Sequence, residues 1–449
     1  MSVVFGTDGI RGVANEGLTP EIVLALGRVA ARHLGGSSFL VGRDTRRSGT
    51  LLLAAFAAGV AAEGVDVIDL GVLPTPGIAF LAQQRNLPAA VVSASHNPFP
   101  DNGVKLLARG GQKLDDATER SIENDLDILL SRQAPGVAGP VGAGVGVIVA
   151  EPAAARDYIE ALVHSSHLGG ARFSVVLDCA NGAASAVAPV VFGALGQELT
   201  ILGAEPDGTN INAGSGSTDP AALATEVLAS GADVGLGFDG VADRLIAVDA
   251  NGEVVDGDQL IALFAFDLDE RGALDNRAVA ITVMSNLGLR RALEARGIGV
   301  VETPVGDRQV TDALESGSLV LGGEQSGHIV FFKEATTGDG IRTGIRLLEL
   351  LARKGRPLGA LAAEAMTRFP QVLRNVAVRE PRRLGEASAI WREVAEVEAS
   401  LGGSGRILVR ASGTEEAVRV MVEAEGLEQA DACAARLAAV VARELGAGG

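Results

Sequence analysis

Cysteine and aromatic residues are scarce in this chain of 449 residues, which holds two cysteines, one tryptophan and one tyrosine. Cys179 and Cys433 lie far apart and lack the spacing of a metal site. The sequence therefore predicts no disulfide framework and indicates a reducing compartment. Because only 3% of the residues are aromatic, we expect cores built from valine, leucine and alanine.

A long hydrophobic run and an excess of positive charge are also lacking. The longest apolar run, residues 51–62, stops at Glu63, which is too short for a bilayer and long enough for a buried helix. Asp8 and Arg11 interrupt the start of the chain, where a secretory signal would be apolar. The net charge of −18 argues against nucleic acid as a partner and requires a locally basic site for any anionic substrate. We expect a cytoplasmic protein with no nucleic-acid or membrane partner.

The length of the chain indicates three or four domains. Residues 38–44, 173–178 and 278–283 share one plan, in which an apolar strand, a polar loop and a helical pattern follow each other. This alternation is typical of α/β units, and the last part of the chain combines strands with two helices instead. The sequence predicts three related α/β domains with mixed, largely parallel sheets and a smaller C-terminal α+β domain, around a central cleft. The predicted bounds are 1–150, 151–252, 253–369 and 370–449.

One loop places several polar groups together at a strand end. Residues 93–98 read Ser-Ala-Ser-His-Asn-Pro and follow a short apolar run that predicts a buried strand. Pro98 and Pro100 prevent regular structure from continuing, so Ser95 and His96 lie where α/β proteins place their chemistry. A turn rich in serine and asparagine is the alternative. The choice depends on whether the rest of the chain supplies partners for Ser95.

Two further loops follow predicted strands. Asp239 and Asp243 are four residues apart in a glycine-containing loop and can converge on Mg²⁺, although an Asx-rich turn has the same composition. The loop at residues 322–328 carries Glu324 and His328, which can bind sugar hydroxyls. His328 is a candidate proton carrier, with a buried structural histidine as the alternative.

Arginines flank the remaining loops. Arg410 and Arg419 bracket a Ser-Gly-Thr stretch whose hydroxyls and glycine suit a phosphate. The same stretch matches a helix cap, Ser-x-x-Glu, which is the alternative. Residues 5–12 and 42–46 add cations near strand ends, where surface salt bridges are equally compatible with the sequence. Together the loops would form a basic pocket in an acidic protein.

The motifs taken in order resemble those of the α-D-phosphohexomutase superfamily over essentially the whole chain. They read FGTDGIRG, SASHNP, DNGVK, GFDGVADR, GGEQSGH and RASGTEE. The resemblance implies that the chain interconverts glucosamine 6-phosphate and glucosamine 1-phosphate, on the route to UDP-N-acetylglucosamine and the cell wall. A phosphoryl group on Ser95 would pass through a 1,6-bisphosphate intermediate. A mutase of mannose or glucose phosphates, and a non-catalytic protein that binds sugar phosphates, are the alternatives.

The resemblance also implies roles for individual residues, a hexosamine phosphate substrate and a homodimer. Mg²⁺ would be held by Ser95, Asp239 and Asp243. Charge neutralisation and proton transfer around the transferring group would fall to Lys105, His96, Arg11 and Arg244, with His328 as a further candidate. Sugar hydroxyls would be bound by Glu324 and Ser326. The non-reacting phosphate would be bound by Arg410, Ser412, Gly413, Thr414 and Arg419.

Three positions depart from the family pattern. Val241 stands where the cation loop normally carries its middle carboxylate, Gln309 stands where an aromatic residue is common, and Glu416 stands where proline is common. Because water can replace a protein ligand of Mg²⁺, the loss of one carboxylate predicts weaker metal binding rather than none. The position of Val241 is also what motivates the non-catalytic alternative, and Glu416 adds a negative charge beside the phosphate loop.

Overall fold

The computed structural model describes residues 9–131, 139–412 and 416–446. The chain divides into two compact units. The first comprises Met1–Val283 and Gly299–Ala363, and the second comprises Met284–Ile298 and Glu364–Gly449. Each unit has its own buried apolar core.

The first unit opens with a six-stranded sheet. Its strands are β1 (Ile10–Val13), β2 (Ser38–Arg43), β3 (Asp66–Val72), β4 (Ala89–Val92), β5 (Asp101–Leu107) and β6 (Ile148–Ala150), and its helices are α1 (Pro20–Leu34), α2 (Gly49–Ala61), α3 (Thr75–Arg85) and α4 (Asp116–Leu130). The strand order is β1-β5-β4-β2-β3-β6. The pairs β4–β2, β2–β3 and β3–β6 are parallel, and β5 runs antiparallel to its neighbours β1 and β4. The fully buried strand β4 ends immediately before the Ser95 loop.

A second, five-stranded sheet follows. It contains β7 (Ser174–Asp178), β8 (Glu198–Leu202), β9 (Val234–Phe238), β10 (Leu245–Asp249) and β11 (Val254–Val255), with α5 (Ala155–His164), α6 (Ala188–Ala194) and α7 (Ala221–Ser230). In the order β11-β10-β9-β7-β8, the pairs of β7 with β8 and β9 are parallel and the other two are antiparallel. The antiparallel hairpin of β9 and β10 carries the loop with Asp239 and Asp243 at its end. This sheet extends to Val255, three residues past the predicted boundary at 252.

The third sheet has the order β13-β12-β14-β15. Its strands are β12 (Ala278–Thr282), β13 (Gly299–Thr303), β14 (Leu321–Gly323) and β15 (Ile329–Phe331). The helices in this part of the chain are α8 (Gly257–Glu270), α9 (Leu287–Ala295), α10 (Asp307–Gly317), α11 (Gly340–Lys354) and α12 (Leu358–Ala365). The strand predicted at residues 318–321 begins only at Leu321, because Ser318 ends α10 in a left-handed conformation. Helix α9 belongs to the second unit although it lies between β12 and β13 in sequence.

The second unit contains an antiparallel sheet backed by helices. Its strands are β16 (Gln371–Ala377), β17 (Arg406–Ala411) and β18 (Ala417–Glu423), in the order β16-β18-β17, and its further helices are α13 (Ser388–Leu401) and α14 (Leu427–Leu445). Aliphatic residues of both helices and all three strands form its core. This confirms the predicted α+β character of the C-terminal part.

The fold class is therefore confirmed as three mixed α/β sheets followed by a smaller α+β part. The four-domain bounds and the central cleft stay predictions. Between α4 and β6 the described residues include a 3₁₀ turn at Gly142–Gly144. No helix in the described part of the chain combines the length and apolar character needed to cross a bilayer.

Candidate active site

Ser95 lies at the end of the buried strand β4 in a strained conformation. Its φ is +51°, which is rare for a residue with a side chain and costs on the order of 1–3 kcal/mol. Ala242 in the neighbouring carboxylate loop and Asn212 also have positive φ. Such outliers persist only where surrounding contacts hold them, so their clustering here marks a site with a defined geometry.

The structure brings Ser95 together with the first carboxylate of the loop between β9 and β10. Ser95 Oγ donates a hydrogen bond of 2.7 Å to Asp239 Oδ2. His96 Nδ1 lies 3.4 Å from the same hydroxyl. The loops approach closely because residue 240 is glycine, where a Cβ atom would stand 2.7 Å from the Ser95 carbonyl oxygen. The hydroxyl and the carboxylate thus come from two different sheets of the first unit.

Two buried carboxylates share this loop. Burial, together with the charge of Asp243, raises the pKa of Asp239 to about 7, and the Arg244 charge and the Ser95 hydrogen bond oppose the rise. The Asp239 Oδ1 atom accepts the backbone N–H of Asp243 at 3.1 Å and of Arg244 at 3.3 Å. A buried carboxylate beside a second one is disfavoured in its charged form. The pair suits a divalent cation for that reason.

Val241 lies between the two aspartates and contributes no carboxylate. Its side chain is only 2% exposed, and its carbonyl accepts the N–H of Thr75 at 3.1 Å. Within residues 9–131, 139–412 and 416–446, no three side chains of the metal-ligating types converge on one point. Mg²⁺ is commonly held by one or two carboxylates together with phosphate oxygens and water. Asp239 and Asp243 with a phosphate on Ser95 therefore fit the ion without a third carboxylate.

His328 is buried beside the second carboxylate. Its Nδ1 atom lies 3.8 Å from Asp243 Oδ2, and its Nε2 atom accepts the N–H of Gly338 at 3.2 Å. Burial lowers the pKa of His328 to about 4, more than the neighbouring carboxylates raise it. At pH 7 the ring is neutral, and its one proton resides on Nδ1, facing Asp243. His328 thus lies beside the carboxylate loop, and the proton-carrier role stays a prediction.

The loop of residues 324–328 lies against the start of β10, directly after the carboxylate loop. The N–H of Leu245 donates to the Gly327 carbonyl at 3.0 Å. Gly327 has a φ of +90°, and a Cβ atom there would stand 2.2 Å from the Leu245 oxygen. Glu324 Oε1 accepts the N–H of Gly306 at 3.1 Å. Ser326 Oγ is buried and, among the described residues, has no hydrogen-bond partner. Such a hydroxyl is suited to form a hydrogen bond with a ligand.

The predicted cationic residues of the first unit occupy different settings. Lys105 lies on β5, 8% exposed, with its Nζ atom 3.3 Å from Asp307 Oδ2. Arg11 lies on β1 opposite Gly103 of the same strand pair, and its side chain is exposed. Arg244 is half-buried beside Asp239, and its Nε atom has no partner in the part of the chain that the structure describes. These three cations stay candidates for charge neutralisation.

Arg46, expected as a surface cation near a strand end, is instead buried. Its guanidinium pairs with Asp44 at 2.9 Å, and both side chains are fully shielded from solvent. It donates to backbone carbonyls of the Ser95 loop, so it is not available to a phosphate. The salt-bridge alternative is therefore right in kind, but the pair lies in the interior rather than on the surface, because the other partners of Arg46 lie far along the sequence. Asn212, which bonds the same loop, was missed altogether.

The second unit carries the predicted phosphate loop. Arg410 and Arg419 face each other across the β17–β18 pair, and burial together with the Arg419 charge lowers the pKa of Arg410. Like charges directly opposite each other destabilise a sheet, so an anion would relieve this pair. Arg410 Nε and Ser412 Oγ are buried and lack partners among the described residues. Gly413 and Thr414 lie outside those residues.

The helix-cap alternative for the stretch from Ser412 falls on residues 413–415, which lie outside the described residues, and the strand β18 begins at Ala417. Of the other departures from the family pattern, Gln309 lies in the first turn of α10, where its buried Oε1 atom has no partner among the described residues. Glu416 is exposed, and its carbonyl accepts the N–H of Val378 at 2.9 Å. Glu416 thus joins β16 to the end of the phosphate loop through its backbone.

Comparison with known families matches the chain almost from end to end. The phosphoglucomutase/phosphomannomutase α/β/α domains I, II and III match residues 2–131, 156–252 and 256–369, and the C-terminal domain of the same family matches residues 373–440. Each of the described loops lies in a different one of these domains.

Relatives with high identity carry one name. Phosphoglucosamine mutase of Rubrobacter xylanophilus is 51% identical and covers 99% of this chain and 98% of its own length. The proteins of that name from Thermobifida fusca and from Mycobacterium sp. (strain KMS) are 49% and 48% identical, again over 99% of this chain.

Solved structures share the fold. A phosphoglucomutase/phosphomannomutase family protein from Burkholderia thailandensis superposes with a TM-score of 0.81 at 26% identity, covering 99% of this chain and 98% of its own. N-acetylphosphoglucosamine mutase of Aspergillus fumigatus, solved with GlcNAc-6P and magnesium, has a TM-score of 0.69 at 18% identity, covering 98% and 95%. At that identity the second similarity concerns the fold alone.

Proposed function

Because the chain belongs to the phosphoglucomutase/phosphomannomutase family of α-D-phosphohexomutases, and within it to the phosphoglucosamine mutases, we propose that it interconverts glucosamine 6-phosphate and glucosamine 1-phosphate through a phosphoryl group on Ser95. The enzyme class follows from the membership: the chain is an isomerase that relocates a phosphoryl group within a hexose phosphate. The substrate and the residue roles form the proposal.

One observation carries the proposal. The buried Ser95 hydroxyl is held in a strained loop, 2.7 Å from a carboxylate of a second loop. A serine in an ordinary turn needs neither the positive φ nor a buried carboxylate partner. A phosphoryl carrier needs both a fixed oxygen and a charged surrounding, because enzymes catalyse phosphoryl transfer mainly by positioning and electrostatic stabilisation.

The predicted site residues divide between the two ends of the substrate. Glu324 and Ser326 would bind sugar hydroxyls, and Lys105, Arg11 and Arg244 would balance charge around the transferring group, with His96 beside Ser95 Oγ as a proton carrier. The non-reacting phosphate would be bound by Arg410, Ser412, Gly413, Thr414 and Arg419. The opposed guanidiniums on β17 and β18 support this, since a phosphate dianion offsets their repulsion.

Asp239, Asp243 and the Ser95 oxygen are the groups that would hold Mg²⁺. When bound, the ion supplies positive charge that stabilises the transferring phosphoryl group. The chain itself contributes the shielded setting: both carboxylates are buried, His328 lies beside Asp243, and the Arg244 N–H donates to Asp239 within the loop. Homodimer formation and a cytoplasmic location remain predictions, and light scattering tests the first.

Intact-mass measurement of the purified protein tests the carrier role. We expect a species about 80 Da heavier than the chain, the mass of one phosphoryl group, and its absence in Ser95→Ala. A Ser121→Ala variant serves as the matched control, because Ser121 is exposed on α4 and its hydroxyl donates to the Ala117 carbonyl within that helix. Phosphate retained in Ser95→Ala would refute the assignment.

A coupled assay tests the substrate. We expect turnover of glucosamine 6-phosphate with a higher kcat/KM than that of mannose or glucose 6-phosphate. Preference for either neutral sugar would point to the alternative mutase activity. Phosphorylated Ser95 without turnover of any of the three would favour the non-catalytic alternative that Val241 suggests.

A further inference from the structure

A fully buried ion pair lies beneath the Ser95 loop. Asp44 and Arg46 have fully buried side chains and are paired at 2.9 Å. Buried charges destabilise a protein unless they are paired and their remaining donors and acceptors are satisfied. The partners of Arg46 therefore indicate what this costly pair holds in place.

Besides its bond to Asp44, the guanidinium of Arg46 donates three hydrogen bonds to one short stretch of backbone. Its Nη1 atom donates to the Pro98 carbonyl at 2.7 Å, and its Nη2 atom donates to the carbonyls of Ser95 and Asn97 at 2.9 Å and 2.8 Å. This stretch follows the end of β4 and precedes β5, so these carbonyls are not part of the strand ladder. The fork geometry of arginine suits several acceptors at once.

Asn212 reaches the same carbonyls from the second sheet of the unit. Its Nδ2 atom donates to the carbonyl of Ser95 at 2.9 Å and to that of Asn97 at 3.1 Å. Asn212 itself has a φ of +57°, and its N–H bonds the Ala180 carbonyl at 2.9 Å. Two side chains from separate sheets thus share the same pair of acceptors.

The peptide group on the other side of Ser95 is also held. The Ser95 N–H donates to Ser93 Oγ at 2.9 Å, and Ser93 Oγ in turn donates to Asp44. Both peptide groups that flank the Ser95 Cα atom are consequently fixed, which is what a left-handed serine needs in order to persist.

We propose that Arg46 and Asn212 are positioning residues for phosphoryl transfer: they clamp the carbonyls of Ser95 and Asn97 and so aim Ser95 Oγ at the carboxylate loop. This loop clamp rests on the proposed function of Ser95 and adds two residues to it, neither of which touches the substrate. The serine alternates between a phosphate ester and a free hydroxyl, and the clamp acts on the backbone, which is the same in both states.

Arg46→Lys is the direct test. Lysine keeps the charge for Asp44 but cannot bond three carbonyls with one fork. A misplacement of about 1 Å lowers a reaction rate by roughly 10²-fold, so we expect kcat to fall by about that factor while KM changes less than about threefold. Arg47→Lys is the matched control, because Arg47 is exposed and its backbone N–H bonds Gly208. It should keep the wild-type kcat.

Asn212→Gly is a second variant in case Arg46→Lys does not fold. Glycine tolerates the positive φ of residue 212 and removes only the amide. We expect kcat to fall about tenfold with KM unchanged, and amide hydrogen exchange of residues 95–98 to become faster than in the wild type. Wild-type kcat and wild-type exchange in the folded variants would overturn the clamp. A fall in kcat that comes with a comparable fold rise in KM and with a lower melting temperature would also overturn it, because these changes together indicate general destabilisation.

The two proposals fail in different ways. A wild-type protein without phosphate on Ser95 or mutase activity would refute the proposed function. The hydrogen exchange of residues 95–98 would still decide whether Arg46 and Asn212 hold the loop.

Discussion

Replacing Val241 with aspartate tests the carboxylate loop most directly. The variant Val241→Asp places a third carboxylate at a position that is 2% exposed, between Asp239 and Asp243. Burial and one neighbouring carboxylate raise the pKa of Asp239 from 3.8 to about 7, and that difference corresponds to roughly 4 kcal/mol. An aspartate at 241 meets similar burial and two carboxylates. We therefore expect the metal-free variant to lose about 4 kcal/mol or more at pH 8.

The sign of the pH effect follows from the protonation states. A buried carboxyl whose pKa is raised binds its proton more tightly in the folded protein, so its destabilising effect appears as pH rises above the unfolded value. The variant should thus come closest to wild-type stability below about pH 4 and fall furthest below it at pH 8. Mg²⁺ should restore stability at pH 8, because binding to the folded state alone stabilises it by mass action.

Calorimetry in EDTA and in Mg²⁺ measures the stability. Tryptophan fluorescence is less suitable, because Trp391, the one tryptophan of the chain, lies in the second unit. Activity as a function of Mg²⁺ concentration measures the metal affinity, and we expect half-maximal activity at about tenfold lower Mg²⁺ in the variant. Val241→Asn is the control, as it adds a ligand oxygen without charge. Identical Mg²⁺ curves for wild type and Val241→Asp would refute the reasoning.

Other parts of the site give shorter tests. Gly327→Ala forces a Cβ atom against a carbonyl 2.2 Å away and should destabilise the first unit and raise the sugar KM. Gly355→Ala, also at positive φ but with open space around it, should cost only the backbone strain, roughly 1–2 kcal/mol, and leave the KM unchanged; equal effects would contradict the contact. Arg410→Ala should raise the substrate KM at least tenfold, since a hydrogen bond to a charged group contributes roughly 1.5–3 kcal/mol; an unchanged KM would exclude it from the phosphate site. Burial raises the pKa of the Cys179 thiol to about 12. A thiol reagent at pH 8 should therefore label only Cys433 in the native protein and both cysteines in urea. Two labels on the native protein would disprove the burial of Cys179.

The sequence predicts best where structure depends on neighbouring residues. The apolar run before Ser95 is the buried strand β4, and the apolar run at residues 51–62 forms most of helix α2, as the local pattern indicated. The loops that follow β4, β9 and β14 carry the residues expected of them. Local composition sets these features, because strand ends and turns depend on residues a few positions apart.

The sequence predicts least where a side chain bonds to a residue that lies far away along the chain. Arg46 accepts a buried position because carbonyls 49 to 52 residues further along the chain satisfy it. The opposed pair of Arg410 and Arg419 depends on the register of β17 and β18, which no short pattern encodes. The grouping of residues 284–298 with the C-terminal unit depends likewise on packing across more than seventy residues, such as the bond from Asn286 to the Phe369 carbonyl.

The loop clamp also has a consequence for the order in which the protein is made. Asn212 follows Ser95 by 117 residues, which corresponds to roughly 6–23 s of synthesis at about 5–20 residues per second. During that interval Arg46 holds the carbonyls of Ser95 and Asn97 without Asn212. The proposed clamp is therefore complete only after residue 212 has been synthesised.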